Sequence, residues 1–225
     1  FLINKGITRE KIHLVANGVD LNLFDPSKYP IDDIVTLRKS FNAKNLIVFS
    51  GALQDLNLII NSAKKVIAEY PETKYLILGD HRDPKRSKNM WANLVKENGL
   101  ENYFIFTGRK PREEVPKFLL CADVCIDSFP DEPYYAAAHP VKLLEYGACN
   151  KPIVATRVTE TKNLIKENYG LLSNPDNSDE YSNHLISLLK SSELREKLGS
   201  KFSLYVRENF NWNKLAKDLE KSLKN

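Results

Sequence analysis

Short apolar runs rich in β-branched residues alternate with longer segments of helical periodicity over the first two thirds of the chain. Runs such as LIVFS (46–50) and YLILG (75–79) are almost wholly apolar rather than alternating, which is typical of strands covered on both faces. Strands that alternate with helices are connected by right-handed crossovers and form parallel sheets. The pattern therefore predicts an α/β fold with a doubly wound parallel sheet.

The predicted elements follow from this alternation. The strands are expected at residues 12–16, 45–50, 74–78, 103–107, 124–127 and 152–156. The helices between them are expected at residues 31–41, 56–69, 87–98, 116–121, 141–148 and 162–167. From residue 178 the pattern is helical only, and it predicts three C-terminal helices at 178–189, 192–209 and 212–223, with Ser178, Ser192 and Asn211 near their starts as caps. We expect these helices to pack on an end or a face of the sheet domain.

Composition excludes several classes of protein. The 225 residues are 42% hydrophobic and 28% charged with both signs interspersed, which is typical of a globular core and not of disorder. A net charge of +4 permits a phosphate-bearing ligand but predicts no nucleic-acid partner. No apolar run approaches the roughly 18–20 residues that span a bilayer, and the start, FLINKGITREK, does not resemble a signal peptide. Three cysteines, an odd number, predict a cytoplasmic protein without disulfides.

Glycines follow three of the predicted strands, at Gly51, Gly79 and Gly108. Ligands of open parallel sheets bind outside the carboxyl ends of the strands, where glycine lets a ligand approach the backbone. Each glycine could instead simply turn the chain. Three at the same edge favour a ligand site, although none forms a GxGxxG motif or a Walker P-loop.

The segment 131–155 holds the most unusual combination of residues. Pro140 is expected at the first position of a helix, where the amides of residues 141–143 would form an anion site to which Lys142 adds a cation. Glu145 lies three residues after Lys142, on the same helical face, and could accept hydrogen bonds from a ribose diol. The alternative is a surface helix with an intrahelical Lys142–Glu145 ion pair.

Several motifs, in order along nearly the whole chain, resemble the C-terminal, nucleotide-sugar-binding domain of family 4 (group 1) glycosyltransferases of the GT-B fold. They are VANGVD (15–20) with Phe24 and Pro26, IVFSGAL (47–53), LILGD (76–80), FTGRK (106–110) with CADVCIDS (121–128), HPVKLLEYGACNKPIVAT (139–156) and NFNW (209–212).

The resemblance implies a Rossmann-like domain from a two-domain enzyme that binds its donor between the domains. Residues 1–16 would be the interdomain connection and residues 17–225 the donor-binding domain. The N-terminal, acceptor-binding domain would be absent and would be a partner of this chain. That domain would provide any peripheral membrane contact, and the fragment is expected to be inactive alone. The expected ligand is a UDP- or GDP-linked sugar, with no other cofactor.

The resemblance also implies roles for individual residues. Glu145 matches the second Glu of the E-x7-E motif, which binds the donor ribose, and the amides near His139 fall where the sugar and diphosphate would lie. Gly51 would approach the diphosphate, and Arg109 would border the base. The complete expected donor site is Gly51, Gly79, Asp80, Gly108, Arg109, Lys110, His139, Pro140, Val141, Lys142, Leu143 and Glu145.

Two departures from the family pattern affect the expected chemistry. Ala137 replaces the first Glu of the motif, and Asp131 and Glu132 of the preceding loop are the available substitutes. After Gly51, the residues Ala52 and Leu56 replace an Arg and a Lys that would contact the diphosphate, and Lys142 or the cluster of Arg82, Lys85 and Arg86 are the available substitutes. The catalytic residue is therefore unknown, with His139 as the histidine placed to meet the donor sugar or to stabilise its loop.

The resemblance suggests retaining sugar transfer without a metal, since no D-x-D motif is present. Cys121, Cys125 and Cys149 lack zinc-type spacing and are expected to be small buried residues. The alternative function is a non-catalytic nucleotide- or sugar-binding module with a decayed site, and a third is a sugar-nucleotide epimerase or phosphorylase of the same architecture.

Overall fold

The computed structural model describes residues 2–13, 15–52, 55–80, 89–133, 139–166 and 168–224. Its strands are β1 Asn45–Ser50, β2 Thr73–Leu78, β3 Phe104–Gly108, β4 Val124–Ile126, β5 Ile153–Thr156 and β6 Leu171–Ser173. Within the described residues they form one parallel sheet in the order β3-β2-β1-β4-β5-β6. The predicted α/β fold with a doubly wound, Rossmann-like parallel sheet is confirmed.

The helices cover both faces of this sheet. They are α1 Ile31–Ser40, α2 Asn57–Glu69, α3 Asn89–Glu97, α4 Val115–Leu120, α5 Val141–Ala148, α6 Thr159–Leu164, α7 Ser178–Lys190, α8 Ser192–Asn209 and α9 Trp212–Lys224. Successive β1 side chains point to opposite faces. Leu46 and Val48 therefore enter a core shared with α1, α4, α5 and α8, whereas Ile47 and Phe49 enter one shared with α2, α3 and α7.

The strand order changes direction between β1 and β4: β2 and β3 lie on one side of β1, whereas β4, β5 and β6 lie on the other. β1 pairs with β2 along its full length, from Asn45↔Thr73 to Ser50↔Leu78. In contrast, β1 pairs with β4 only through Ile47↔Val124 and Val48↔Cys125, so the carboxyl ends of these two strands separate. Such a switch point is where open α/β sheets bind ligands.

The predicted strand at residues 12–16 is wrong. The described residues of this segment lie after a short 3₁₀ turn, Arg9–Lys11, and pair with no strand of the sheet. Val15 leaves 43% of its surface exposed, so the β-branched residues here do not cover a core. The chain instead joins the domain at Val19, whose N–H donates to Phe210 O at 2.8 Å and which forms an isolated parallel bridge with Asn211. Conversely, β6 was not predicted, because a three-residue strand carries too short a pattern.

Two helices begin where predicted, at Ser178 and Ser192, but their caps differ from the prediction by one residue. The caps are Asn177, whose Oδ1 accepts the Glu180 N–H at 2.9 Å, and Ser191, whose Oγ accepts the Leu194 N–H at 3.1 Å. Each lies one residue before the predicted cap, because the serines expected as caps are the first helical residues. The predicted cap Asn211 is confirmed.

The C-terminal helices pack against the sheet domain as predicted. α8 lies so close to α5 that a Cβ atom on Gly147 would approach Phe202 and Val206 of α8 within 2.7 Å. α9 begins at Trp212, beside Gly18, and is largely exposed, with Leu215 buried. Across the described ranges, no helix is both long and apolar enough to cross a lipid bilayer.

Candidate functional site

The three strand-end glycines lie side by side at the carboxyl edge of β1, β2 and β3. Gly51, Gly79 and Gly108 have φ values of +136°, +138° and +68°. Interstrand hydrogen bonds continue through them, because the Gly51 N–H donates to Leu78 O at 2.9 Å and the Gly79 N–H to Gly108 O at 3.0 Å. A Cβ atom on Gly79 would lie 1.8 Å from the Gly51 carbonyl oxygen. The backbones of the β1 and β2 tips therefore approach one another at a distance that only glycine permits.

A cleft of about 330 Å³ opens at these glycines. It is lined by Ser50, Gly51, Ala52, Leu78, Gly79, Asp80, Arg109, Lys110 and Val115. The structure thus brings together five of the predicted site residues from three loops. The cations of Arg109 and Lys110 come from the loop between β3 and α4, and the Lys110 ammonium lies 5.5 Å from the centre of the Phe118 ring.

The amino end of α5 provides fewer amides than predicted. Pro140 is the N-cap and the helix begins at Val141, so the prediction of proline at the first helical position is wrong by one residue. The Leu143 N–H donates to Pro140 O at 3.0 Å, and the Leu143 side chain is fully buried. Leu143 is therefore a core residue, and the amides of Val141 and Lys142 are those of the predicted set that can meet a ligand.

Lys142 is held at the switch point by a buried carboxylate. Its Nζ lies 2.8 Å from Asp127 Oδ1, with side-chain exposures of 14% for the lysine and 1% for the aspartate. The ammonium also lies 4.5 Å and 4.6 Å from the ring centres of Phe49 and Phe129. A Cβ atom on Gly51 would lie 3.3 Å from Lys142 Cε, so the side chain passes directly beneath the β1 tip. Because Asp127 neutralises it, Lys142 contributes less positive charge to the site than its position in the sequence suggests.

Glu145 faces the loop after β3. Its side chain is 14% exposed, and its Oε1 lies 3.6 Å from Nη2 of Arg112. Burial raises the pKa of Glu145, and the charges of Arg112 and Lys142 oppose this effect. The alternative of an intrahelical Lys142–Glu145 ion pair is wrong, because each residue pairs with a different partner. The carboxylate thus points toward the same edge of the sheet as the glycine tips.

Two buried tyrosines, which were not predicted from the sequence, connect the carboxyl ends of neighbouring strands at the switch point through their hydroxyl groups. The Tyr146 hydroxyl accepts the Ser50 N–H at 2.8 Å and lies 3.3 Å from Ile126 O, which links β1 to β4. The Tyr181 hydroxyl lies 3.0 Å from Asp127 O and 3.3 Å from Val154 O, which links β4 to β5. No local signal in the sequence could have identified these contacts, because each joins residues at least twenty positions apart.

Other predicted residues lie apart from the cleft or outside the described residues. The His139 ring centre lies 5.8 Å from that of Phe210, and burial lowers the pKa of His139 although the charge of Glu160 opposes it. His139 is not among the cleft-lining residues described above. Asp131 lines a different surface cavity, together with residues 174–179. Ala137 and the cluster of Arg82, Lys85 and Arg86 lie outside the described residues.

The cysteines are free and buried, as predicted. Burial raises the pKa of Cys121 to about 11 and of Cys149 to about 12, so both thiols are neutral at ordinary pH. In the part of the chain that the structure describes, no group of three His, Cys, Asp or Glu side chains could hold a metal ion.

Comparison with known proteins identifies the architecture. The family model of "Glycosyl transferases group 1" matches residues 35–202. TuaH of Bacillus subtilis, named as a glycosyltransferase of teichuronic acid biosynthesis, is 30% identical over 168 residues, which are 73% of this chain and 39% of TuaH.

Solved structures agree on the fold. The structure of HepE from Anabaena in complex with UDP has a TM-score of 0.85 at 19% identity, and covers 99% of this chain and 60% of HepE. The complex of HepE with UDP-glucose gives a TM-score of 0.84 at 20% identity, with the same coverage. The chain thus spans between two fifths and three fifths of the length of these proteins.

Proposed function

The chain belongs to the group 1 glycosyl transferases, and on that premise we propose that it binds the nucleoside diphosphate sugar from which such an enzyme transfers a sugar. The observation that supports this most is the cleft at the glycine tips of β1 and β2, which is also lined by the loop between β3 and α4. The Lys142 side chain of α5 lies beside Gly51 at this cleft. The cleft volume of about 330 Å³ lies at the lower end of the range typical of small-molecule sites.

Each part of the donor has a complementary group at this edge. The diphosphate would lie over Gly51, which has no side chain of its own, and would accept hydrogen bonds from the Val141 and Lys142 amides at the positive end of α5. The Glu145 carboxylate would accept hydrogen bonds from the ribose hydroxyls. Arg109 and Lys110 would border the base. The structures of HepE in complex with UDP and with UDP-glucose support this choice of ligand.

The proposed reaction is a retaining transfer without a metal ion. The bond between the sugar's anomeric carbon and the diphosphate oxygen breaks, and negative charge increases on the leaving diphosphate. The acceptor bonds to the anomeric carbon on the same face of the sugar, and its proton passes to the leaving diphosphate. Helix-end amides aimed at that oxygen stabilise the charge without moving, which lowers the barrier. The acceptor and the acceptor-binding domain would come from the remainder of a longer protein, consistent with the greater length of the relatives.

Calorimetric titration of the 225-residue chain with UDP, GDP and ADP tests the donor site. We expect binding of UDP or GDP, and a loss of at least tenfold in affinity for Glu145→Ala, because two charge-assisted hydrogen bonds are removed. The matched control is Glu69→Ala, an exposed carboxylate at the end of α2 that should leave affinity unchanged. If no nucleotide binds, the proposed function is wrong.

A specific feature favours the alternative of a binding module with a decayed catalytic site. Ala137 stands where the family has a Glu, and Ala52 lines the cleft where the family has a cation. Incubation of the full-length protein with UDP- or GDP-linked sugars separates the two functions. Release of the nucleotide supports the enzyme, whereas tight binding without turnover of any donor supports the module.

A further inference from the structure

Three separate segments of the chain meet at Glu145. The carboxylate comes from the second turn of α5 and the Arg112 guanidinium from the loop between β3 and α4. Phe24 comes from the segment before α1 and is fully buried, with the guanidinium carbon 5.7 Å from the centre of its ring. A guanidinium is attracted to the face of an aromatic ring, so the contact with Phe24 helps to hold the Arg112 side chain beside Glu145.

The distance between the two charges distinguishes this pair from a structural one. The Arg112–Glu145 separation of 3.6 Å is too long for a direct hydrogen bond. By comparison, Arg38 approaches Asp123 to 2.7 Å, and Asp123 also accepts the Leu46 N–H at 2.7 Å. Both contacts are made by Asp123 Oδ2, so that oxygen is engaged by direct hydrogen bonds within the protein. Glu145 is attracted by its arginine while its oxygens remain able to accept hydrogen bonds from another molecule.

Arg112 is also the cation on which Glu145 depends. The carboxylate is mostly buried, which disfavours its charged form, and the other positive charge acting on it, Lys142, is paired with Asp127. The titratable neighbours Tyr146 and Cys149 stay neutral between pH 5 and 8, because burial raises the pKa of both groups. Among the described residues, Arg112 is therefore the unpaired cation that favours the charged form of Glu145.

We propose that Arg112 is a positioning residue for donor binding, whose guanidinium, 3.6 Å from Glu145, keeps that carboxylate charged so that it can accept the hydroxyls of the nucleoside sugar. This inference rests on the proposed function of the cleft. Arg112 acts through Glu145, and its own side chain, 56% exposed, remains at the rim of the site.

The test measures UDP affinity by calorimetry from pH 5.5 to pH 8 for the 225-residue chain and three variants. Arg112→Gln removes the charge, Arg112→Lys retains it, and Lys117→Gln removes a cation of α4 that faces Asp33 at 3.8 Å instead of Glu145. The ratio of variant to wild-type affinity at each pH cancels the titration of UDP itself.

We expect Arg112→Gln to bind UDP about fivefold more weakly at pH 5.5 and nearly as well as the wild type at pH 8, where Glu145 ionises without help. Arg112→Lys should recover most of the affinity at pH 5.5, and Lys117→Gln should match the wild type at every pH. In the background of Glu145→Gln, the further change Arg112→Gln should have no effect at any pH, because no carboxylate remains to be held.

The possible outcomes separate this inference from the proposed function. Equal weakening by Arg112→Gln at all pH values, or an undiminished effect in the Glu145→Gln background, would show that Arg112 contacts the ligand directly and overturn the inference. Unchanged affinity of Arg112→Gln at every pH would overturn it as well, while the donor site would stand. If the wild-type chain binds no nucleotide, both fail together.

Discussion

Replacing Gly79 by alanine tests whether the β1 and β2 tips approach as closely as the structure shows. The φ of Gly79 is +138°, a conformation that costs a residue with a Cβ atom about 1–3 kcal/mol. The new Cβ would also lie 1.8 Å from the Gly51 carbonyl oxygen, less than a non-bonded contact allows, so the two tips must move apart. Forced overpacking of this kind typically costs a further 1–3 kcal/mol. We expect Gly79→Ala to lower the free energy of unfolding by about 2–6 kcal/mol.

The measurement is urea denaturation followed by circular dichroism, with a thermal melt as a second probe. For a chain of this size the expected loss corresponds to a fall in Tm of about 10 °C. Two matched controls are Gly99→Ala and Gly108→Ala, whose φ values of +69° and +68° also disfavour alanine but which have open space around them. They should cost about 1–2 kcal/mol each. If Gly79→Ala is no more destabilising than these controls, the inferred close approach of the tips is wrong.

Three further predictions concern the switch point and α5. Lys142→Met should cost about 3–5 kcal/mol in urea denaturation, because it leaves the buried Asp127 carboxylate unpaired, and adding Asp127→Asn should recover part of the loss; additive costs would contradict the pairing. Tyr146→Phe should lower the free energy of unfolding by about 1–3 kcal/mol, because the Ser50 N–H of β1 loses its acceptor. Tyr181→Phe should lower it by less, because the described contacts of the Tyr181 hydroxyl are with carbonyl oxygens only. The reverse order of the two losses would refute this. Burial raises the pKa of Glu145, so the folded chain binds the carboxyl proton more tightly than the unfolded chain does. Unfolding therefore becomes easier as the pH rises from the ordinary pKa of a glutamate through the raised pKa of the folded chain. Glu145→Gln should raise the Tm measured in thermal melts at pH 7 but not at pH 4.

The fold could be predicted largely from local pattern. The runs LIVFS and YLILG gave β1 and β2 almost to the residue, and the prediction of α8 was correct at both ends. The strand expected at residues 12–16 failed because β-branched residues also occur where a chain merely runs along a surface. β6 escaped prediction because three residues carry no period, and its strand exists only through its pairing with β5.

The candidate site also contains residues that could be predicted from local sequence and residues whose roles depend on tertiary contacts. The glycines at the strand ends were recognisable from the sequence, because a glycine directly after an apolar run is a local signal. Asp127, Tyr146 and Arg112 were not recognised, although each shapes the site through contacts with Lys142, Ser50 and Glu145 respectively. The Leu143 amide was wrongly assigned to a ligand, because the turn at Pro140 that engages it has no local signature.

The sequence by itself determined that this chain builds a parallel sheet whose glycine tips face one edge, because hydrophobic period and chain-turning residues act over a few positions. Only the tertiary structure decided which charges are available there. Lys142 is neutralised by a residue fifteen positions away and Glu145 is attracted by one thirty-three positions away, so the electrostatics of the site depend on which strands become neighbours. Coulomb interactions depend on distance in space and on burial, and neither can be read from spacing along the chain.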